Sequence, residues 1–321
     1  MILADTKGDT LSQVASSARK QAGITVYLIA VLPPLFWAGN FLLARMFRNE
    51  IPPLQMSFWR WAIAMVILLA FFGPGLRAHL HVMRAEWARL YLLALLGITA
   101  FNAFVYSALH YTTVINGSLV NTMLPVITFI LALIILGDRI SLRQGVGVLL
   151  AFLGALVVIT QGSWQQLASL NLSKGDLLVL CGTTCWALYT VLLRWRPSKL
   201  PPMVFLTVVV ILGVLFHIPF VAWEIAEVGT FSPTWGRLGA LLYFAVFASI
   251  LAYICWNKAV ATIGPGKTGT FMYLLPFFSA VLAIVFLGER LELFHVVGIA
   301  LILAGVVLVT RPARQPAPQG R

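Results

Sequence analysis

Leu136-Gly137-Asp138-Arg139-Ile140 and Leu287-Gly288-Glu289-Arg290-Leu291 are one five-residue pattern written twice, 151 residues apart. Each closes a long apolar run with a glycine and an acid-base pair, and each is followed by another apolar run. The register extends in both directions. Leu124-Pro125 matches Leu275-Pro276, Leu131-Ala132 matches Leu282-Ala283, and Gly147 and Gly154 match Gly298 and Gly305. Further upstream, Trp37-Ala38 and Arg45 recur as Trp186-Ala187 and Arg194, at an offset of 149. Shared Leu and Val arise easily by chance among apolar helices, whereas matched Pro, Gly and charge in one register do not. The chain reads as an internal duplication.

The composition says what is duplicated. The chain has 321 residues, is 60% hydrophobic with a mean hydropathy of +0.94, and is only 10% charged, against about 25% in an ordinary soluble domain. No water-soluble globule of this size hides that much apolar side chain, and disorder, collagen-like structure and a disulfide scaffold are excluded by the same numbers. A membrane helix needs roughly 20 mostly apolar residues. Ten stretches qualify: Ile24–Leu43, Leu54–Phe72, Leu90–Leu109, Val114–Leu136, Leu142–Thr160, Gly175–Leu193, Met203–Trp223, Leu238–Asn257, Thr268–Leu287 and Phe294–Thr310. The breaks carry turn chemistry, as at Ile51-Pro52-Pro53 and Gly264-Pro265-Gly266. The expectation is an all-α polytopic membrane protein. Its parts are a flexible N-terminus (1–23), a first five-helix repeat (24–160), a linker (161–174), a second five-helix repeat (175–310) and a flexible tail (311–321). The first apolar run is too long for a signal-peptide core and has no cleavage pattern after it, so it stays as a helix.

A net charge of +12 would suggest nucleic acid in a soluble chain. Here it follows from the concentration of Lys and Arg in cytoplasmic loops, and no nucleic-acid partner is expected. With both termini inside, sixteen of the basic residues fall on the cytoplasmic side and five on the other, while Arg60 is intramembrane. Both termini are therefore expected in the cytoplasm. Cys181, Cys185 and Cys255 all lie in apolar stretches and read as small buried residues; neither a metal nor a cofactor is expected.

Five spans per half is an odd number, so the second half enters the bilayer upside down. Two inverted five-helix repeats around a midplane site are the architecture of many secondary transporters, because exchanging the conformations of the halves generates alternating access. Ten spans, the Leu-Gly-Asp-Arg and Leu-Gly-Glu-Arg junctions and the Trp-Ala-Gly-Asn-Phe run at Trp37–Phe41 resemble the EamA-type drug/metabolite transporter superfamily, over about residues 24–310. Within it the chain is most similar to the bacterial aromatic amino acid exporter branch. That resemblance implies a multi-pass protein of the bacterial inner membrane that moves amino acids outward.

The residues expected to face the cargo are polar and aromatic side chains deep in their spans, each of which must be satisfied without bulk water. Trp37 and Asn40 share a face of the first helix, and Trp186 and Tyr189 share one of the sixth. Asn102 and Tyr106 on the third map to Tyr253 and Asn257 on the eighth with the types exchanged, and Asn121 and Thr122 map to Met272 and Tyr273. Any single Asn or Thr reads equally as an interhelical hydrogen bond; as a belt they describe a cavity that stacks and hydrogen-bonds a small-molecule substrate. Trp223 and Trp235 read as interfacial anchors in contact with membrane lipid. Arg60, about 10 Å deep by helix rise, either snorkels outward or turns inward to a substrate carboxylate. Lys258 either serves its own helix end or plays the same carboxylate role. Pro125 and Pro276 are candidate hinges or static kinks. The paired glycines at 147, 154, 298 and 305 permit close helix approach, within one chain or in a homodimer, which leaves monomer and dimer both open.

No Asp or Glu lies deep in a span, and His217 is the one deeply placed titratable candidate. The expectation is therefore transport without a dedicated carboxylate proton site. No phosphate-binding loop is present. An intramembrane enzyme would need a nucleophile with its base, paired carboxylates or a metal cluster, and none of these templates is matched. Within transport, a multidrug or organic-cation exporter is the alternative, since aromatic faces alone bind cations.

Overall fold

The computed structural model describes residues 5–108, 111, 120–168, 173–287 and 292–311, with side chains from Thr25 onward except those of Arg45, Tyr106, Ala283 and Leu287. The Gly288-Glu289-Arg290-Leu291 copy of the junction, residues 114–119 of the expected fourth span, residues 169–172 of the linker and the end of the tail lie outside the described residues. The described backbone is helical, without strands. We number the membrane helices in chain order: α1 (Asp5–Met46), α2 (Pro53–Ala78), α3 (Trp87–Ala94, Leu95–Ala100 and Phe101–Ala108 end to end), α4 (Leu124–Leu136), α5 (Leu142–Ile159), α6 (Lys174–Trp195), α7 (Pro202–Val228), α8 (Trp235–Tyr243, Phe244–Leu251 and Ala252–Ile263), α9 (Pro265–Thr270, Phe271–Tyr273 and Leu274–Leu287) and α10 (Leu293–Thr310). Among the described residues nine helices are long and apolar enough to cross a membrane, and α4 is a shorter apolar helix. The fold is that of a polytopic helical membrane protein. One boundary differs from expectation: α1 begins at Asp5, inside the stretch read as a flexible terminus. Residues 10–22 contain no Pro and are rich in Ala, Gln, Lys and Arg, which favour helix once a long apolar helix has nucleated it.

Local chemistry sets the helix ends. α4 stops at Gly137, whose φ of 70° is left-handed and costs a glycine nothing. Ser141 then opens α5, and Ser173 opens α6, each with a reciprocal capping box, to Gln144 and Asp176 respectively. α2 is capped from outside. Pro52 and Pro53 have no N–H to satisfy, and the next two N–H groups, of Leu54 and Gln55, both donate to the carboxylate of Glu224 at the far end of α7, at 3.0 and 2.8 Å. Outside the spans, Glu86 accepts from the Ser198 hydroxyl, the Lys199 N–H and Arg89, so that the connection before α3 is tied to the α6–α7 loop. Burial alone would raise the Glu86 carboxyl; those hydrogen bonds and the two cations outweigh it and hold it below its ordinary value.

Helix packing exchanges the halves. α1 packs on α8 and α9, and α6 packs on α3 and α4; the middle of α3 packs on α7, and the middle of α8 on α2. α2 pairs with α7, and α5 with α10. The glycine stripe belongs to that last pair: a Cβ on Gly154 would lie 2.6 Å from the Gly298 carbonyl oxygen, and one on Gly305 2.4 Å from that of Gly147. Close approach is therefore spent within one chain.

The two candidate hinges stand beside breaks. α4 starts at Leu124, directly after a turn at Thr122-Met123, and the long segment of α9 starts at Leu274, directly after a tight turn at Phe271–Tyr273. Pro125 and Pro276 thus occupy the first turns of new helical segments, where a missing N–H removes no helix bond. The discontinuity lies upstream of each proline, not at it. In contrast, Pro33, Pro34 and Pro219 sit inside continuous helices.

Candidate functional site

The largest buried cluster is mostly aliphatic, with a long stretch of α7 in it, and it holds a knot of aromatic rings where α1, α2, α3, α6 and α8 converge. Trp186 is the hub of that knot. Its ring centroid is 5.4 Å from that of Trp37, 5.7 Å from Trp256, 5.2 Å from Tyr253, 5.3 Å from Tyr189 and 5.6 Å from Phe101. Trp61 meets Tyr253 edge-on at 5.0 Å. Most of these contacts are edge or tilted, the arrangement that ring quadrupoles favour.

Two wide helical turns shape this cluster. Leu95–Ala100 of α3 and Phe244–Leu251 of α8 are π-helical, and such turns shift backbone carbonyls out of the ordinary ladder. The Gly97 carbonyl accepts from the Tyr253 hydroxyl, and the Ala248 carbonyl accepts from the Trp37 indole N–H at 2.9 Å. Gly97 and Ala248 are 151 residues apart, the offset of the internal match. Gly97 admits no side chain, since a Cβ there would lie 2.5 Å from the Tyr189 ring.

The amides occupy the rim. The Tyr189 hydroxyl donates to Asn257 at 3.0 Å and the Thr183 hydroxyl to Asn121 at 3.2 Å. Asn102 donates to the Ile98 carbonyl one turn back on its own helix. Asn40 accepts from Arg60 at 3.4 Å. Arg60 has turned inward: it is 7% exposed, its guanidinium lies 4.9 Å from the centre of the Trp61 ring, and its Nε is buried without a hydrogen-bond partner. No carboxylate among the described residues makes an ion pair with it.

The structure thus gathers Trp37, Trp186, Tyr189, Tyr253 and Asn257 at one centre and joins Asn40 and Arg60 to it through Trp61, with Asn121 on Thr183 and Asn102 bonded to its own helix. Tyr273 is buried in a neighbouring cluster with Ala30, Phe271 and Ile302, and its hydroxyl has no partner. Lys258 is exposed on α8 and is not brought to the rings. The side chain of Tyr106 lies outside the described residues. Trp223 and Trp235 are 58% and 91% exposed near helix ends, where anchors belong.

Sequence reasoning missed Trp61 and Trp256, both fully buried in the cluster. Trp256 is three residues after Tyr253 and donates to Thr190 at 3.2 Å; helical spacing from Tyr253 would have found it. Trp61 carries no such signal beyond its position next to Arg60. His217 does have a serine partner, on another helix: Ser57 of α2 lies 3.2 Å from its Nε2, and its Nδ1 lies 3.0 Å from the Gly213 carbonyl. Both ring nitrogens are thereby occupied, and the pair fastens α2 to α7.

The chain has recognisable relatives. A family model described as the EamA-like transporter family matches residues 24–160 and again residues 173–311. An uncharacterized transporter, YyaM, of Bacillus subtilis is 31% identical over 295 residues, covering 91% of this chain and 96% of that protein. A probable terminal-alkyne amino-acid exporter of Streptantibioticus cattleyicolor is 26% identical over 285 residues, 88% of this chain and 92% of that one. A protein of known crystal structure, 19% identical, superimposes with a TM-score of 0.73 over 89% of this chain and 97% of its own, and so shares the fold.

Proposed function

The chain belongs to the EamA-like transporter family, and from that premise we propose that it exports amino acids across the bacterial inner membrane, aromatic and other neutral ones with broad specificity. In this reading two inverted five-helix repeats alternate access to the aromatic centre, with both termini in the cytoplasm and no dedicated carboxylate proton site. The observation that carries the substrate class is Arg60. A guanidinium buried in a bilayer without a counter-ion is costly. An amino acid supplies the missing carboxylate, the rings of Trp61, Tyr253 and Trp186 stack its side chain, and Asn40 and Asn257 offer amide contacts. The amino-acid exporter among the relatives supports the same class. The buried positive charge also works against an organic cation as cargo, the alternative that aromatic rings alone would allow.

The test is counterflow in proteoliposomes, comparing phenylalanine, its carboxylate-free analogue phenethylamine, and methyl viologen. Wild-type protein is expected to prefer phenylalanine. Arg60→Gln is expected to lose about ten-fold or more of that preference, since a charge-assisted hydrogen bond is worth roughly 1.5–3 kcal/mol and 1.4 kcal/mol is ten-fold. Wild-type transport of methyl viologen in preference to phenylalanine, or equal loss of phenylalanine and phenethylamine in the variant, would reject the amino-acid reading.

A further inference from the structure

The hydrogen bonds at the two wide turns are not symmetric, although the residues that surround them are. Gly97 of α3 and Ala248 of α8 correspond at an offset of 151, and so do Asn102 and Tyr253. Trp37 of α1 and Trp186 of α6 correspond at 149. By this correspondence each carbonyl is assigned two donors: the tryptophan of the helix packed against it, and the polar side chain of its counterpart helix. In the described structure Ala248 takes its tryptophan, Trp37, at 2.9 Å, while Gly97 takes the other kind of donor, Tyr253. Of the two donors left over, one is idle and the other is bonded within its own helix. The Trp186 indole nitrogen is buried with no hydrogen-bond partner, and Asn102 turns back to the Ile98 carbonyl of its own helix.

A buried indole N–H without a partner gives up roughly 1–3 kcal/mol of desolvation, and the cause here is visible. Trp186 already packs on α3 through Phe101, and Gly97 faces Tyr189, one turn along α6 from Trp186. Trp186 is therefore on the right helix to reach the Gly97 carbonyl, and Tyr253, 5.2 Å away between ring centres, holds that acceptor.

We propose that Trp37 and Trp186 are alternating donors. When the protein faces one side of the membrane, Trp37 holds Ala248 and Tyr253 holds Gly97; when it faces the other, Trp186 takes Gly97 and Asn102 takes Ala248. The exchange conserves the number of bonds to the two carbonyls, two in each state. It releases the Asn102–Ile98 bond, so the two states differ by about one hydrogen bond, roughly 0.5–1.5 kcal/mol, a gap that leaves both populated, as a carrier requires. Trp37 and Trp186 act as positioning residues for the transport cycle, whatever ring contacts they also offer to cargo. The inference rests on the alternating-access part of the proposed function and not on its substrate class, so its test uses no cargo.

The measurement is a pair of electron–electron distances in full-length protein in nanodiscs, with Cys181, Cys185 and Cys255 replaced by Ala. Spin labels at Ala88 and Ala261 report one end of α3 and α8, and labels at Ser107 and Trp235 report the other end. Trp186→Phe keeps an aromatic ring, a smaller one, and removes the idle N–H. It breaks no bond in the described structure, so the fold is expected to survive, and the ratio of the described state to the opposite one should rise about five-fold, as one hydrogen bond predicts. Trp37→Phe should lower that ratio about five-fold and bring the second set of distances into view. The double variant should return to within about two-fold of wild type. Three results overturn the proposal: Trp37→Phe showing no second distance set, both single variants moving the ratio the same way, or addition of Trp186→Phe to Trp37→Phe leaving the ratio unchanged. If the exchange holds while phenylalanine is not carried, only the substrate class is wrong.

Discussion

Adding one methyl group at Gly305 tests how the α5–α10 pair is built. A Cβ there would lie 2.4 Å from the Gly147 carbonyl oxygen, 2.6 Å from the Ala151 nitrogen and 2.7 Å from the Ala151 Cβ. An ordinary carbon-to-oxygen approach between helices is about 3.3 Å or more, so the axes must separate by about 1 Å. All three obstructing atoms are backbone or Cβ, and no rotamer change relieves them. Overpacking of this kind costs about 1–3 kcal/mol, against about 0.5–1 kcal/mol that Ala regains over Gly in a helix. The expected net effect of Gly305→Ala is a loss of about 1–2 kcal/mol. Gly145 in α5 is the control, because a Cβ there meets nothing within 4 Å; Gly145→Ala should be neutral or slightly stabilising. Reversible unfolding in mixed micelles by added SDS reads both variants, and light scattering reads their mass. Equal stability of the two variants would refute the packing argument. A change of oligomeric state in Gly305→Ala with unchanged unfolding would show that the stripe serves a partner chain instead.

Two further perturbations probe the ties outside the centre. Glu224→Ala strands the N–H groups of Leu54 and Gln55, so unfolding in micelles should show a loss of about 2 kcal/mol or more, with Glu224→Gln intermediate because its amide oxygen still accepts. Glu86 titrates below its ordinary value of 4.5. A carboxyl so depressed adds stability above the unfolded pKa and loses it as pH falls through the folded one. Hydrogen exchange at the Lys199 N–H, which donates to Glu86 at 3.0 Å, should therefore be slow at neutral pH. Corrected for intrinsic rate, it should accelerate on the acid side of about pH 4.5, and Glu86→Gln should flatten that dependence.

Much of the centre was legible from residue types and spacing. Trp37, Trp186, Tyr189 and Tyr253 stand too deep in their spans to be interfacial anchors, and the structure draws them together. Their amide neighbours came along because helical spacing puts Asn40 on the face of Trp37 and Asn257 on that of Tyr253. Lys258 did not follow: it is adjacent to Asn257 in sequence, and adjacent residues point about 100° apart on a helix. Trp61 stayed hidden because it follows Trp59 and Arg60 on one helix, and neither residue type nor spacing says which of the two tryptophans faces inward. Only the inward turn of α2 separates the two neighbours, with Trp59 43% exposed and Trp61 fully buried.

What the sequence determined by itself is whatever the bilayer imposes locally. Apolar length sets the spans, Gly137 and the capping serines set helix ends, and the offset of 151 pairs one half with the other, because each of these depends on residues within a few turns or on simple correspondence. The tertiary structure alone decided what depends on which helices become neighbours and on how wide a turn is wound. The Gly147, Gly154, Gly298 and Gly305 stripe is consumed inside one chain because α5 happens to face α10. Arg60 is buried without a carboxylate partner among the described residues because α2 turns it toward Trp61 and Asn40. The Gly97 and Ala248 carbonyls are free to accept from Tyr253 and Trp37 because α3 and α8 widen there. A carbonyl is the same group in every residue, so its availability is written in backbone geometry and not in the identity of the side chain.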